Sequence, residues 1–253
     1  MLGKMQVKYI QSLYQKKFRD EHGVFIAEGP KLLHEILIHH PHLIDKVYVL
    51  QDWAGRHKEL LSSLDKDKLA VITEPELKKI SSLSTPNEAL AVVRKKEAPS
   101  AVQPLGKISL LLDGIRDPGN MGTMLRIADW FGIACVICSK DCADVYNPKV
   151  IQASMGSFLR VDVMYADLTQ FILQHRDVPV FAATLDGESI YELKQPEEVL
   201  LVIGNESKGI RDEVLQLASK KITIPARGGA ESLNAAVAAG IILSHMVPHT
   251  VKT

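Results

Sequence analysis

Apolar runs alternate with amphipathic segments along the second half of the chain. Strands are predicted at 108–114, 133–139, 161–166, 178–184, 198–206 and 221–226, and helical stretches lie between most of them. Continuous apolar runs of this length are typical of strands that are buried on both faces of a parallel sheet. The pattern therefore predicts an α/β domain with a mainly parallel sheet over residues 107–253.

The first part of the chain, residues 1–98, mixes helix and strand in another order. A helix at 32–40 ends before Pro41, and strands are predicted at 46–50, 69–73 and 89–95. A further helix begins after the second of these strands, at Glu74-Pro75-Glu76. Residues 99–106 contain two prolines and a glycine without hydrophobic periodicity, which predicts a linker between a small α+β domain and the α/β domain.

Composition and charge exclude a disordered chain and suggest a polyanionic partner. The 253 residues are 46% hydrophobic and 24% charged, and 30 basic residues balance 30 acidic ones. The balance is uneven, because residues 1–98 carry 16 basic and 13 acidic groups, and the first 19 residues carry five basic groups and no acid. We expect the first domain to be the anion-binding half.

Cysteine content and hydropathy indicate the compartment. Three cysteines in a chain of 253 residues form no disulfide framework, so the reducing cytoplasm is the expected location. The 20 residues from Ser232 to Val251 carry no formal charge, but they include Asn234, two histidines and a proline, and their centre is rich in alanine and glycine. They predict a buried helix and no membrane span.

Several common site motifs are absent from the sequence. It contains no G-x-G-x-x-G, which argues against a nicotinamide dinucleotide-binding fold. It also contains no Walker A sequence and no G-x-S-x-G nucleophile elbow of the serine hydrolases. His34-Glu35…His39 has one residue too many for the zinc protease spacing. Cys135 and Cys138 lie on a predicted strand, where residues three apart point to opposite faces. No metal site is expected.

Three polar stretches follow predicted strands and are the candidate site. Residues 112–129 carry Asn120 at a helix start and Arg126 further along that helix. Residues 201–210 place Glu206 between two glycines, and residues 222–238 place Ser232-Leu233-Asn234 before an alanine-rich helix. Each has an ordinary structural alternative: capping by Asn120, a strand-to-helix turn around Glu206, and capping by Ser232.

Taken together, these stretches resemble the three motifs of the SpoU (TrmH) family of RNA ribose 2′-O-methyltransferases, in the SPOUT superfamily. The matching patterns are D-x-x-x-D-P-x-N-x-G-x-x-x-R-x-A, then G-x-E-x-x-G, then I-P followed by S-L-N-x-x-x-A. The resemblance covers about 107–253. Residues 1–98 resemble that family's substrate-binding N-terminal domain, which is similar to a small ribosomal protein.

The resemblance implies a fold, a cofactor and a partner. The C-terminal part of the parallel sheet would be tied into a deep trefoil knot that holds S-adenosyl-L-methionine. The matching cofactor positions are Thr184, Gly204, Ile224 and Leu233. The substrate would be RNA, with ribosomal RNA favoured over tRNA, and the enzyme would be a homodimer whose active sites lie beside the contact between the helices at 120–131 and 234–245.

The resemblance also implies catalytic positions at Asn120, Arg126, Glu206, Ser232 and Asn234. Arg126 would hold the neighbouring phosphate and the developing alkoxide as a cation, because arginine is effectively never deprotonated in proteins. Asn120 would hold Arg126 or the ribose, and Glu206 would orient the arginine or the substrate. The alternatives left open are a tRNA 2′-O-methyltransferase and a non-catalytic RNA-binding protein of the same fold.

Overall fold

The computed structural model describes residues 2–97, 108–133 and 135–248, and the chain forms two compact units in this part. The first comprises the described residues of Met1–Glu97 together with Tyr146–Gly156, and the second comprises the described remainder. The predicted linker at 99–106 lies outside the described residues. The predicted domain boundaries stay a prediction, and the structure adds that residues 146–156 pack with the first unit.

The first unit contains a four-stranded mixed sheet with the strand order β1-β4-β2-β3. Strand β4 is antiparallel to β1 and β2, and β2 is parallel to β3. The strands are β1 (Val24–Glu28), β2 (Ile44–Leu50), β3 (Leu69–Ile72) and β4 (Ala89–Arg94). The helices are α1 (Lys4–Ser12), α2 (Lys16–His22), α3 (Pro30–His39), α4 (Gln51–Arg56), α5 (Lys58–Ser62) and α6 (Glu74–Ile80).

The predicted elements of the first unit are all present, but the sequence analysis missed strand β1 and the helices α1, α2, α4 and α5. Strands β2, β3 and β4 and helix α3 lie within two residues of their predicted ends, and α6 begins at the predicted Glu74. Strand β1 is an edge strand, yet all five of its residues are buried. Its single run of apolar residues is short and is followed at once by the glycine and proline that begin α3, so no alternation marks it as a strand.

Helix α8 (Pro148–Ser154) packs beside β1 and covers this edge of the sheet. The rings of Phe25 and Tyr146 stack with their centroids 4.8 Å apart, and the Lys96 amide donates to the Tyr146 hydroxyl at 3.0 Å. Gly156 adopts φ +91°, and a Cβ there would lie 2.2 Å from a carboxylate oxygen of Glu35. An uncovered edge strand invites pairing with other chains, so α8 has a protective role in the first unit.

The second unit contains a six-stranded sheet in which every described pairing is parallel, with the order β10-β8-β9-β5-β6-β7. The predicted α/β architecture with a parallel sheet is therefore confirmed. Its strands are β5 (Ile108–Asp113), β6 (Cys135–Ser139), β7 (Asp162–Ala166), β8 (Val180–Ser189), β9 (Val199–Gly204) and β10 (Lys220–Thr223). Its helices are α7 (Pro118–Trp130), α9 (Leu168–Gln174), α10 (Asp212–Leu215) and α11 (Ala235–Met246).

Strand β8 is longer than predicted and irregular. Its partner β10 pairs first with Phe181 and Ala182, and then the register shifts so that Ile222 pairs with Glu188. The turn-like residues Leu-Asp-Gly at 185–187 therefore lie inside a strand, which their composition does not predict. Gly187 allows this close approach, because a Cβ there would lie 2.5 Å from the backbone nitrogen of Ile222.

The uncharged segment at 232–251 contributes α11, which has 12 residues. Among the described residues, no helix is both long enough and apolar enough to cross a membrane.

Replacing Gly187 with alanine is expected to lower stability by about 1–3 kcal/mol, because the new methyl group meets backbone atoms that cannot rotate away. At ~2–4 °C per kcal/mol for a chain of this size, the fall in Tm should be several degrees in differential scanning calorimetry. Gly228→Ala is the matched control, since no atom lies within 4 Å of a Cβ at that position. Equal Tm values for the two variants would contradict the close approach of β8 and β10.

Candidate active site

The candidate residues collect at the carboxyl edge of the parallel sheet. Because β5, β8, β9 and β10 are parallel, the loops that follow them lie at the same edge. Strand order reverses beside β5, with β6 on one side and β9 on the other. In open α/β sheets, ligands bind outside the carboxyl ends of the strands at such a reversal.

Three of the five predicted catalytic side chains form one hydrogen-bonded chain there. The amide nitrogen of Asn234 donates to Oδ1 of Asn120 at 2.8 Å, and the amide nitrogen of Asn120 donates to Oε1 of Glu206. Asn120 follows β5, Glu206 follows β9 and Asn234 follows β10. The chain therefore connects loops from three separate strands, although 114 positions separate Asn120 from Asn234 in sequence.

Helix capping at the site differs from the alternatives that the sequence left open. Asp117 is the N-cap of α7 and accepts from the Asn120 amide at 2.8 Å, so the Asn120 side chain is not the cap. Asn234 is the N-cap of α11, and its Oδ1 accepts from the amides of Ala236 and Val237 at 2.9 and 3.2 Å. Capping by Ser232 was wrong, because that residue lies two positions earlier, in the loop.

Arg126 and Ser232 are exposed and stand apart from this chain. Neither side chain makes a hydrogen bond or ion pair within the described part of the structure. Arg126 lies six residues after Asn120 on α7, which is about 9 Å along the helix and about 120° around it. The proposed bond between Asn120 and Arg126 is absent, because Asn120 is committed to Glu206 and Asn234 instead.

Asn205, which precedes Glu206, ties the loop after β9 to the loop after β5. Its amide nitrogen donates to the Gly114 carbonyl at 2.9 Å, and its Oδ1 accepts from the amides of Ser207 and Lys208 at 2.9 and 3.2 Å. These bonds position Glu206 beside Asn120. The sequence analysis gave Asn205 no role, and the only available signal was an asparagine between a glycine and an acid at a strand end.

Asp113 and Arg211 close the other end of the same loop. Asp113 is 1% exposed, and one of its oxygens accepts from Nε and Nη2 of Arg211 at 2.7 and 2.6 Å. Its second oxygen accepts from the Arg211 amide at 2.8 Å. The hydrogen bond to Asp113 raises the pKa of Arg211. A buried carboxylate that satisfies three donors fixes the loop more firmly than an exposed ion pair does.

The loop after β5 is held from the side of β6 by a thiol. The Ile115 amide donates to Sγ of Cys142 at 3.3 Å, and the Gly114 amide donates to the Ser139 hydroxyl at 2.9 Å. A hydrogen bond with Cys138 is the largest cause that lowers the pKa of Cys142 to about 7, and the Ser139 hydroxyl and the Ile115 amide add to it against burial. All three cysteines are free thiols, and burial raises the pKa of Cys138.

The four predicted cofactor positions surround the same edge. Gly204 ends β9, and a Cβ there would lie 2.4 Å from the Gly209 backbone. The Thr184 hydroxyl is buried without a hydrogen-bond partner of ordinary geometry in the described residues, and its proximity lowers the pKa of Asp186. Ile224 is half-buried, whereas Leu233 is 44% exposed although it is apolar.

No metal centre accompanies these residues. In the described ranges, no group of three or more histidine, cysteine or acidic side chains converges so as to hold a metal ion. The polar cluster is thus built from amides, carboxylates and hydroxyls at a parallel-sheet edge, with the exposed residues 225–234 beside it.

Comparison with known sequences identifies the class that this fold and site define. The sequence model of the SpoU rRNA Methylase family matches residues 107–244, and that of the MRM3-like substrate binding domain matches residues 4–91. The chain belongs to the SpoU rRNA Methylase family, and the resemblance carried by the three motifs is confirmed.

Individual relatives match over nearly the whole chain. The 23S rRNA (guanosine(2553)-2′-O)-methyltransferase RlmP of Bacillus subtilis is 30% identical, and the match covers 95% of each chain. Among solved structures, an AdoMet-bound rRNA methyltransferase from Sinorhizobium meliloti has a TM-score of 0.88 and 29% identity, covering 100% of this chain and 97% of that one. A Porphyromonas gingivalis protein assigned to the TrmH family has a TM-score of 0.86 and 36% identity, covering 97% and 98%.

The environment of Cys142 predicts that one thiol ionises near neutrality. Titration of thiolate absorbance should reveal a step near pH 7 that is absent from Cys142→Ser and shifted to higher pH in Cys138→Ala. The pKa of Cys142 in the folded protein lies below the ordinary thiol value of ~8.5. The thiolate therefore contributes its full stabilisation above pH ~8.5, and this stabilisation is lost as the pH falls through about 7. A wild-type protein without thiolate below pH 8 would contradict this assignment.

Proposed function

We propose that this protein transfers a methyl group from S-adenosyl-L-methionine to a ribose 2′-hydroxyl of RNA, with 23S-type ribosomal RNA as the substrate. The observation that carries the proposal is the chain from Asn234 through Asn120 to Glu206 at the carboxyl edge of a parallel sheet, in a member of the SpoU family. A 23S rRNA 2′-O-methyltransferase from Bacillus subtilis matches 95% of the chain, which supports ribosomal RNA over tRNA.

The residues at this edge fit S-adenosylmethionine. The buried Thr184 hydroxyl has an unmet hydrogen-bonding capacity, and exposed Leu233 and half-buried Ile224 offer apolar surface, which suits an adenine ring. The missing side chain at Gly204 lets the backbone at Gly209 approach the end of β9 closely, which shapes this edge by main-chain atoms. When bound, the cofactor supplies an electrophilic methyl group. A cofactor without phosphates also explains why the sequence needs no glycine-rich phosphate loop.

The polar chain would orient the ribose. Oε1 of Glu206 is occupied by Asn120, so its other oxygen is available to accept from the 2′-hydroxyl or from an arginine. Asn120 and Asn234 hold that carboxylate in position and exclude alternative rotamers. Ser232 lies on the exposed loop before Asn234, where its hydroxyl would complete the pocket once RNA is bound.

Arg126 would act as a cation on the RNA. Its exposed position and its distance from Asn120 favour contact with the phosphate next to the reacting ribose and with the alkoxide as it develops. A fixed positive charge lowers the cost of removing the 2′-hydroxyl proton without taking that proton itself, which arginine is unsuited to do.

We also propose a deep trefoil knot and a homodimer, in the cytoplasm. The close backbone passages at Gly187 and Gly204 support a knot at this edge, and the three free thiols support a reducing compartment. Helices α7 and α11 pack on each other and still expose Trp130, by 85%, and Val237, by 51%. Ile242 and Met246 of α11 contribute nothing to such a contact, because the chain itself buries both residues, at 1% and 0% exposure.

Methyl transfer from labelled S-adenosylmethionine to transcripts of 23S rRNA and of bulk tRNA tests the function, followed by mass-spectrometric mapping of the methylated ribose. Label in 23S rRNA at one ribose is the expected result. Label in tRNA alone would favour the tRNA alternative, and cofactor and RNA binding without transfer would favour a non-catalytic RNA-binding protein.

Arg126→Ala should reduce the rate of methyl transfer by ~10²–10³, because a charge-stabilising donor is removed. Cofactor affinity, measured by calorimetry with S-adenosylhomocysteine, should stay within a few-fold of wild type. Arg126→Lys should keep a trace of activity, since it retains the charge and loses the planar fork. Full activity of the alanine variant would remove Arg126 from the proposed machinery.

Val237→Asp should convert the dimer to monomers and abolish methyl transfer, because it introduces a charge at an apolar contact. Light scattering at micromolar concentration measures the assembly. Val71→Asp is the matched control, since Val71 lies in the first unit and is exposed to a similar degree, 45%. A fully active wild-type monomer would disprove the dimer, and a Val237→Asp variant that remains dimeric would disprove an interface through Val237.

A further inference from the structure

In the first unit, histidine and arginine side chains gather at the end of the sheet where the central strand β4 ends. Strand β4 ends at Arg94, and it lies between β1, whose Val24 pairs with Arg94, and β2, whose Ile44 pairs with Val93. The turn from α3 into β2 passes beside it and carries His39, His40 and His42. We call these four residues, His39, His40, His42 and Arg94, the histidine edge.

Direct contacts hold the histidine edge together. The guanidinium of Arg94 donates through Nη2 to the His42 carbonyl, and the rings of His40 and His42 meet edge to face with centroids 6.1 Å apart. The side chains of His39, His42 and Arg94 are exposed, and His40 is partly exposed. Arginine has five N–H donors, so the bond to His42 leaves most of the Arg94 fork available to a ligand.

Arg94 differs from the cations of the first unit that are paired with carboxylates. Lys16 and Lys95 contact Asp20, Arg56 contacts Glu88, and Lys68 contacts Asp65. In the described part of the chain, no carboxylate lies within ion-pair distance of Arg94. Burial first, and then the charges of Lys96, His42 and His39, lower the pKa of His40. Cationic groups repel one another here, and an anion would relieve that repulsion.

We propose that the histidine edge is the surface on which the first unit binds the phosphodiester backbone of the RNA. This rests on the proposed function, which supplies a polyanionic substrate. Arginine contacts phosphate oxygens in a bidentate geometry, and each histidine donates at least one N–H bond. A metal ion is not the occupant, because no three side chains converge as ligands within the described residues.

Helix α3 supplies a matched control, since it runs from one edge of the sheet to the other. Lys31 lies in its first turn, after the carboxyl end of β1, and His39 is its last residue, about 12 Å away along the axis. Lys31 is exposed. Arg94→Glu and Lys31→Glu therefore make the same charge change at opposite edges of one sheet.

The test measures the affinity of the full-length variants for a 23S rRNA transcript by filter binding at several KCl concentrations. Arg94→Glu should weaken binding at least tenfold and reduce the salt slope by about one phosphate contact, ~0.7–0.9. The double variant His39→Ala/His42→Ala should weaken it severalfold. Lys31→Glu should stay within threefold of wild type. Wild-type affinity for Arg94→Glu, or equal losses at both edges, would overturn the proposal.

Two further measurements separate this surface from the chemistry and from the fold. If wild-type protein binds RNA and fails to transfer methyl groups, the proposed function fails, and the comparison of the two edges still decides the surface. If Arg94→Glu lowers Tm, Arg94→Gln replaces it, because glutamine retains a donor for the His42 carbonyl. A weakened salt slope at unchanged Tm in Arg94→Gln supports the surface, and an unchanged slope overturns it.

Discussion

The first turn of α11 fixes the direction of the hydrogen bonds from Asn234 to Asn120 and from Asn120 to Glu206. Two unpaired amides at this turn need an acceptor, so the oxygen of the Asn234 side chain must face them and its NH₂ group must face outward. That NH₂ group occupies the oxygen of Asn120, whose own NH₂ group must then face Glu206. A helix cap thereby orients a carboxylate that belongs to a loop after another strand.

Such a chain forms only if its loops keep their spacing, because hydrogen bonds weaken outside a narrow range of distance and angle. Asn205 bonds the loop after β9 to the Gly114 carbonyl, and buried Asp113 bonds the same loop through Arg211. Cys142 and Ser139 hold the loop after β5 from the other side. Asp113, Ser139 and Cys142 are buried, and a polar partner lost there costs more than one lost at the surface.

Sequence reasoning predicted what depends on local pattern. Continuous apolar runs marked the parallel strands, and the motif residues Asn120, Glu206 and Asn234 were singled out before any geometry was known. Long-range pairings were not predictable. Asn205, Asp113 and Arg211 are ordinary polar residues until the fold brings them together, and the burial of Ile242 depends on how α11 packs on its neighbours. The pairing of strands β8 and β10 around Gly187 likewise depends on a close backbone contact that composition does not encode.

The return of residues 146–156 to the first unit has a consequence for the order of events at the ribosome. Chains emerge from the N-terminus, and domains generally fold as they emerge, at ~5–20 residues per second. The edge of β1 that α8 covers stays open until residue 154 has been synthesised, long after β4 has closed the sheet at residue 94. For several seconds the nascent chain presents β1 without this helix, and an edge strand in that state is open to pairing with other chains.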